Sequence, residues 1–244
     1  MKNRKQLPNF AYLNNRFIDI EKLMIHLEKE NLLNPKIYND IKVSTNSKHK
    51  NFVIANEFSK NNFFKEDSAP SMEGECYVQL YLTDFDETKS SNKVSLQKTN
   101  IFSRYKRLDF TKKTYLPEAD ELNYGIRNNL VKGEFETILN MFESKITRVR
   151  LAYLKSNFSL KPHIDYDPSY ITRYHVPIIT NTNCKMHVIR NKNEYSVHFP
   201  SDGRIYFLNA GHIHWASNNS NIDRLHLIID VHGQKELESY SELQ

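Results

Sequence analysis

The sequence predicts a mainly β protein with flanking helices, its strands wound into a double-stranded β-helix, the jelly roll of cupin type. Three observations predict this. After Ser144, short β-like runs recur at spacings of about 8–12 residues, the rhythm of a sandwich or barrel. Turn-forming residues punctuate them. Eight of the ten histidines fall between His163 and His232, within those runs, so the strands wrap a polar centre.

Taken in order, Asp19–Lys29 reads as a helix, capped by Asp19, with Ile20, Leu23, Met24 and Leu27 on one face. Ser59–Ser71 and Lys89–Ser95 read as loops. Cys76–Phe85 alternates as a strand, with Val78, Leu80 and Leu82 on one side and Tyr77, Gln79 and Thr83 on the other. Glu134–Glu143 is a second helix, with Phe135, Ile138, Leu139 and Phe142 at helical spacing; such a stripe belongs in a core. The β-like runs are Thr147–Leu154, Arg173–Ile179, Lys185–Arg190, Tyr195–Phe199, Arg204–Leu208, His212–Ala216 and Leu225–Val231. Breakers between them include Lys161-Pro162, Asp167-Pro168-Ser169, Asn181–Asn183, Asn191–Asn193, Ser201-Asp202-Gly203 and Asn218–Asn221. No boundary sets off an independent N-terminal domain. Residues 1–244 therefore read as one domain, in which 1–146 supply helical and β decoration with the first strands and 147–233 form the jelly-roll core around a metal centre.

Composition excludes several classes. The 244 residues carry 34 Lys+Arg against 29 Asp+Glu, a net charge of +5. The basic residues are scattered and alternate with acids, so nucleic acid is not an expected partner. Fourteen Tyr and fourteen Phe supply bulky apolar material for a large core, which argues against a disordered chain. No run approaches the ~18 apolar residues of a membrane span, and Met1–Asn15 lacks the apolar segment of a secretory signal. With two cysteines, Cys76 and Cys184, the chain is neither a disulfide scaffold nor a Cys-rich zinc module, and a cytoplasmic, reducing location is expected. Only six glycines are present, and neither GxGxxG nor GxxxxGK[ST] occurs. Cys184 has no evident base beside it, so a nucleophilic role is not expected.

Four segments carry the chemistry. In Pro162-His163-Ile164-Asp165, strand geometry turns His163 and Asp165 to one face, where both can reach a single metal. A second histidine from a distant strand would complete two His and one carboxylate, a facial set that leaves the opposite coordination positions open and suits non-haem Fe(II). That histidine lies in Asn209-Ala210-Gly211-His212-Ile213-His214-Trp215-Ala216-Ser217-Asn218. His212 and His214 share parity and compete; His214 is favoured, with His212 as pocket lining and a zinc-type HxH pair as the weaker reading. In Arg224-Leu225-His226-Leu227-Ile228-Ile229-Asp230, Arg224 and His226 share a face opposite Leu225, Leu227 and Ile229. A buried arginine needs an anion: either a protein acid such as Asp230 or Asp165, or the carboxylate of a bound small acid, which its planar fork matches. Arg173-Tyr174-His175 repeats the pattern. Tyr166, Asp167 and Tyr170 lie where they can line a substrate mouth or form a polar turn. Arg148 and Arg150 share a strand face that either meets a substrate carboxylate or faces water, with Tyr153 on the other face as possible pocket lining. Trp215 reads as core, and His187 and His198 as ordinary strand or surface histidines.

Taken together and in order, Pro162-His163-Ile164-Asp165, Arg173-Tyr174-His175-Val176-Pro177-Ile178, Asn209-Ala210-Gly211-x-x-His214-x-x-x-Asn218 and Arg224-Leu225-His226-Leu227-Ile228-Ile229-Asp230 resemble the aspartyl/asparaginyl β-hydroxylase-like family of Fe(II)/2-oxoglutarate oxygenases, in its proline-hydroxylase-like branch. The resemblance covers roughly Thr147 to His232. It implies His163, Asp165 and His214 as iron ligands, Arg224 as the holder of the far carboxylate of 2-oxoglutarate, and Arg173 with His175 near the cosubstrate's other end. Animal aspartyl hydroxylases lack the carboxylate ligand, whereas this sequence keeps Asp165, which places it nearer the small-molecule branch.

The implied cofactors are Fe(II), 2-oxoglutarate and O₂, and the implied reaction is hydroxylation of an unactivated C–H with release of succinate and CO₂. The expected substrate is a small molecule, amino-acid-like. A peptide or protein side chain is the alternative substrate, and a non-catalytic cupin-like binding protein the alternative from a different class. The oligomeric state is not fixed by the sequence.

Overall fold

A computed structural model describes residues 1–35, 52–54, 76–84, 86, 94–95, 114–115 and 121–243. Strand β1 (Phe10–Phe17) leads into helix α1 (Ile20–Lys29). The short strands β2 (Phe52–Ile54), β3 (Tyr77–Tyr81), β4 (Thr83–Asp84), β5 (Val94–Ser95), β6 (Thr114–Tyr115) and β7 (Ile126–Arg127) follow, then helix α2 (Glu134–Leu139). The remainder is β8 (Lys145–Leu154), β9 (Phe158–Ser159), β10 (Thr172–Ile179), β11 (Cys184–Arg190), β12 (Asn193–Val197), β13 (Arg204–Leu208), β14 (Ile213–Asn218), β15 (Arg224–His232) and β16 (Tyr240–Glu242).

Among the described residues two sheets face each other. The larger has eight strands in the order β16-β1-β13-β10-β15-β8-β3-β2, and the smaller four, β12-β11-β14-β9. The crossing order and antiparallel pairing make this a jelly roll, as the strand spacing predicts. β1, β2 and β3 belong to the large sheet, so part of the N-terminal segment is structural to the roll. Val94–Ser95, within a stretch expected to be a loop, pairs with Thr114–Tyr115; the expected loop Ser59–Ser71 lies outside the described residues.

Period-2 alternation gives the large sheet two unlike faces. On its outer face Val149, Leu151, Tyr174, Val176, Phe207, Leu225, Leu227 and Ile229 pack under the helices, with Leu23 and Leu27 of α1 and Phe135, Ile138 and Leu139 of α2. On the inner face Phe10, Leu154, Tyr206 and Leu208 meet Met186, Val188 and Ala216 of the small sheet. α1 begins where the sequence places it: the Asp19 side chain accepts the Lys22 N–H at 3.1 Å, satisfying one of the helix's orphan donors. α2 ends at Leu139, earlier than its apolar stripe suggests, and Phe142 joins the same core from beyond its end.

Local chemistry explains two departures from regular pairing. Pro177 sits inside β10, in the centre of the sheet, and the register with β15 shifts between Pro177 and Ile179; a proline cannot donate to the ladder, so the strand bulges there. Asn191 and Lys192, both at positive φ, form the two-residue turn that joins β11 to β12, the left-handed geometry whose twist matches a hairpin.

Candidate metal centre

β9 runs into a loop whose backbone returns to the small sheet. His163 and His214 form an isolated antiparallel bridge, and the Asp165 N–H donates to the Ala210 carbonyl at 2.9 Å. This holds the His163–Asp165 segment against the start of β14. One ligand atom from each of His163, Asp165 and His214 lies within 4.8 Å of the others. The Asp165 Oδ2 stands 3.9 Å from His163 Nε2 and 3.6 Å from His214 Nε2.

Backbone carbonyls fix the tautomers. His163 Nδ1 faces the Lys161 carbonyl at 2.8 Å, and His214 Nδ1 the His212 carbonyl at 3.0 Å. Each Nδ1 therefore carries the proton and donates, which leaves the Nε2 lone pair to point at Asp165. Burial, with His163 and Arg173 adding smaller effects, lowers His214 to about 3, so its imidazole is neutral at pH 7. His163 is partly open to solvent while His214 is buried, so the cluster meets the outside on one side.

His212 does not join the cluster. Its Nε2 lies 3.1 Å from the Arg4 carbonyl. The parity that pairs it with His214 fails because β14 starts only at Ile213, leaving His212 in the preceding turn.

Arg173 and His175 lie on the inner face of β10, as alternation predicts. Arg173 Nη1 donates to Asp165 Oδ2, while its Nε and Nη2 donate to the two oxygens of Asp230 at 2.8 and 3.0 Å. His175 is buried with its Nδ1 3.4 Å from His226 Nδ1, and Nε2 of both rings lacks a partner among the described residues. Burial, followed by the nearby Arg224 charge, holds both imidazoles well below the usual histidine range, so both are neutral.

Arg224 is 2% exposed. Its Nη1 touches Met186 Sδ at 3.3 Å, and its Nε has no partner among the described residues. Neither Asp230 nor Asp165 neutralises it: Asp230 lies six residues further along β15, about 20 Å at strand rise. Desolvation lowers its pKa, and no carboxylate among the described residues offsets the shift. Met186 pairs with Ala216, two residues along β14 from His214, so this cation reaches across from the large sheet to the strand beside the one that carries His214.

Two expected substrate contacts are corrected. Tyr153 lies on the helix-covered face of β8, packed against the outer core, where its hydroxyl donates to Asp223. Arg150 is neither solvated nor open to a ligand carboxylate: it is buried on the inner face and donates to Asp230 Oδ2 at 2.7 Å. Arg148, on the same face, lies over the Tyr124 and Tyr81 rings and 3.8 Å from Glu121. Tyr166 is buried next to the Asp165 backbone, with its ring 5.5 Å from that of Tyr170. His187 stacks on Trp215 across the small sheet and bridges Ser217 and Glu194.

Two roles near the centre escape sequence reasoning. Asp230, which the sequence offers only as a partner for Arg224, anchors both Arg173 and Arg150; an acid on the face of β15 that also carries Arg224 and His226 was the available signal. Glu121, buried beside Arg148 and Asp230, lies in a segment with no periodicity to mark it.

The sequence profile of the family described as aspartyl/asparaginyl beta-hydroxylase matches residues 59–233. Similar solved structures include an oxidoreductase of the 2OG-Fe(II) oxygenase family from Burkholderia pseudomallei, at 12% identity over 67% of this chain and 72% of that one, TM-score 0.39. A cupin domain from Bordetella pertussis Tohama I is similar at 14% identity over 37% of this chain and 85% of that one, TM-score 0.28.

Proposed function

From the premise that the chain belongs to the aspartyl/asparaginyl β-hydroxylase family, we propose that it is an Fe(II)- and 2-oxoglutarate-dependent dioxygenase that hydroxylates an unactivated C–H of an amino acid or related small molecule. The convergence of His163 Nε2, His214 Nε2 and Asp165 Oδ2 carries this reading. Two imidazole nitrogens and one carboxylate are the donor set that suits Fe(II) with coordination positions left open.

The rest of the inner face fits the cosubstrate. Arg224 is a buried guanidinium without an anion among the described residues, and a dicarboxylate supplies one in the geometry its fork prefers. Arg173 and His175 would lie toward the metal end. Bound there, Fe(II) with 2-oxoglutarate and O₂ supplies the oxidising power, since the cosubstrate leaves as succinate and CO₂ while one oxygen atom enters the substrate C–H bond. The chain's own residues hold and orient. His163, His214 and Asp165 bind the ion, Arg224 selects a diacid, and the apolar walls from Met186, Val188 and Phe199 keep water from the reacting end. Hydrogen abstraction from carbon needs no general base, which agrees with the buried imidazoles being neutral spectators in proton transfer.

The test is an anaerobic titration of the protein with Fe(II) and then 2-oxoglutarate, followed by aerobic incubation with free amino acids one at a time. A weak visible charge-transfer band and substrate-dependent succinate release are expected. A featureless spectrum together with tight Zn(II) binding would replace the enzyme with a cupin-like binding protein. Turnover only with Asp- or Asn-containing peptides would move the substrate to a protein side chain, the reaction that names the family.

A further inference from the structure

Asp230 lies on the inner face of β15, in the middle of the large sheet, and is 0% exposed. Its Oδ1 accepts from Arg173 Nε at 2.8 Å, and its Oδ2 from Arg173 Nη2 at 3.0 Å and from Arg150 Nη1 at 2.7 Å. Three charge-assisted bonds in a dry interior form a rigid joint. The Thr147 hydroxyl donates to the Asp230 carbonyl at 3.0 Å, pinning the backbone beneath. Two of the three nitrogens of the Arg173 fork are thereby committed, and Nη1 remains. It meets Asp165 Oδ2, the same oxygen that faces both histidine Nε2 atoms.

We propose that Asp230 is a positioning residue for the metal centre: by gripping Nε and Nη2 of Arg173 it presents Nη1 to Asp165, and so sets how the Asp165 carboxylate faces His163 and His214. This rests on the metal reading above. Asp230 also answers an electrostatic need. A bare guanidinium beside Asp165 would compete with a dication for the carboxylate, whereas a guanidinium whose charge is partly balanced by Asp230 can orient Asp165 with less positive charge left at the site. Arg150, on the far side of Asp230, completes a line of alternating charge, Arg150–Asp230–Arg173–Asp165, that ends at the ion.

The probe is Co(II) added to the full chain, read by its visible spectrum and by titration calorimetry. Asp230→Asn keeps the shape but loses the charge. Asp230→Asn with Arg150→Gln removes one buried charge of each sign and guards against an unfolded single variant. The expected result for whichever of these folds is Co(II) affinity weakened about 10–100-fold, the usual loss when a group supporting a metal ligand is removed. In an Arg173→Gln background, Asp230→Asn should weaken Co(II) no further, because the residue through which Asp230 acts is already gone. A purely structural role predicts something else: a lower melting temperature with an unchanged Co(II) affinity and spectrum. The proposal is overturned by a folded charge-balanced variant that binds Co(II) as tightly as the parent, or by an equal loss in the Arg173→Gln background. Failure of the unaltered protein to bind Co(II) at all would instead overturn the metal reading, and this inference with it.

Discussion

His163 and His214 exchange both of their backbone hydrogen bonds, at 3.0 Å and 2.8 Å, and their ring centroids lie 4.3 Å apart. Fifty-one positions separate them in sequence, yet a ladder contact sets their spacing. The two imidazoles are therefore placed by the backbone before any ion arrives, which lowers the ordering cost of binding.

His163→Ala should thus abolish metal binding with little effect on the fold. The His163 ring is half-open, and its Nδ1 donates only to the carbonyl of Lys161, two residues away on the same loop. At Co(II) a hundredfold above its Kd, the parent gains about 2.7 kcal/mol of stability by mass action. Thermal melts with and without Co(II) should show a clear upward shift for the parent and none for His163→Ala, with the two metal-free curves nearly superimposed. A full shift in the variant would remove His163 from the site.

Arg224 makes a contrasting prediction, in which stability and binding part company. Its guanidinium is buried against Met186 with no carboxylate among the described residues, so replacing it by an apolar side chain of similar reach removes an uncompensated desolvation cost. Arg224→Met should melt at the same temperature as the parent or higher. Its affinity for 2-oxoglutarate, measured on the Co(II)-loaded protein, should fall about 10–100-fold, the worth of the lost charge-assisted hydrogen bonds. Unchanged cosubstrate affinity would show that the anion binds elsewhere.

Glu121 gives the fold a pH dependence of unusual sign. Burial pushes its carboxyl up to about 8, with Asp230 adding to the rise and Arg148 opposing it. Raised from the ordinary glutamate value of 4.5, the folded form keeps a proton that the unfolded chain releases. Stability from this group is then complete below about pH 4.5 and is lost as pH climbs toward 8. Asp230, held low by Arg150 and Arg173 against its own burial, works the other way and loses its contribution on acidification. Chemical denaturation across pH 5 to 9 should show falling stability for the parent and a flatter profile for Glu121→Gln, which mimics the protonated acid. A parent profile that rises over this range would mean that Glu121 is ionised in the fold.

Much of this architecture was legible because period 2 is a strict rule. The alternation of Arg224 and His226 with Leu225 and Leu227 assigns both faces of β15, and the structure bears it out. What alternation cannot say is which face is the interior when both are dry. Helices cover the outside of the large sheet, so Tyr153 could be buried and still point away from the site, and Arg148 and Arg150 could be charged and still point into the roll. Parity also fails where a strand has not yet begun, which is why His212 and His214 look equivalent in sequence and are not. The Asp230 grip on two arginines joins three strands, β8, β10 and β15, and no local pattern reports a contact of that reach.

Asn218 tests how firmly the interior cation is placed. Its buried Nδ2 donates to the Leu154, Lys155 and Ile222 carbonyls at 3.1, 3.1 and 2.8 Å, and its Oδ1 accepts from Ser220 Oγ at 2.6 Å. One side chain thus ties the end of β14 to the end of β8 and to the turn that leads into Arg224. Asn218→Ala strands three carbonyls and should cost about 1–3 kcal/mol. Asn218→Asp is nearly isosteric, yet it turns a carboxylate oxygen toward those carbonyls and buries a charge met only by the neutral Ser220 hydroxyl and Cys184 thiol, so it should cost more than the alanine. Denaturant titration should rank the parent above Asn218→Ala and Asn218→Asp last. An aspartate variant as stable as the parent would mean that the three carbonyls are satisfied by something other than the amide.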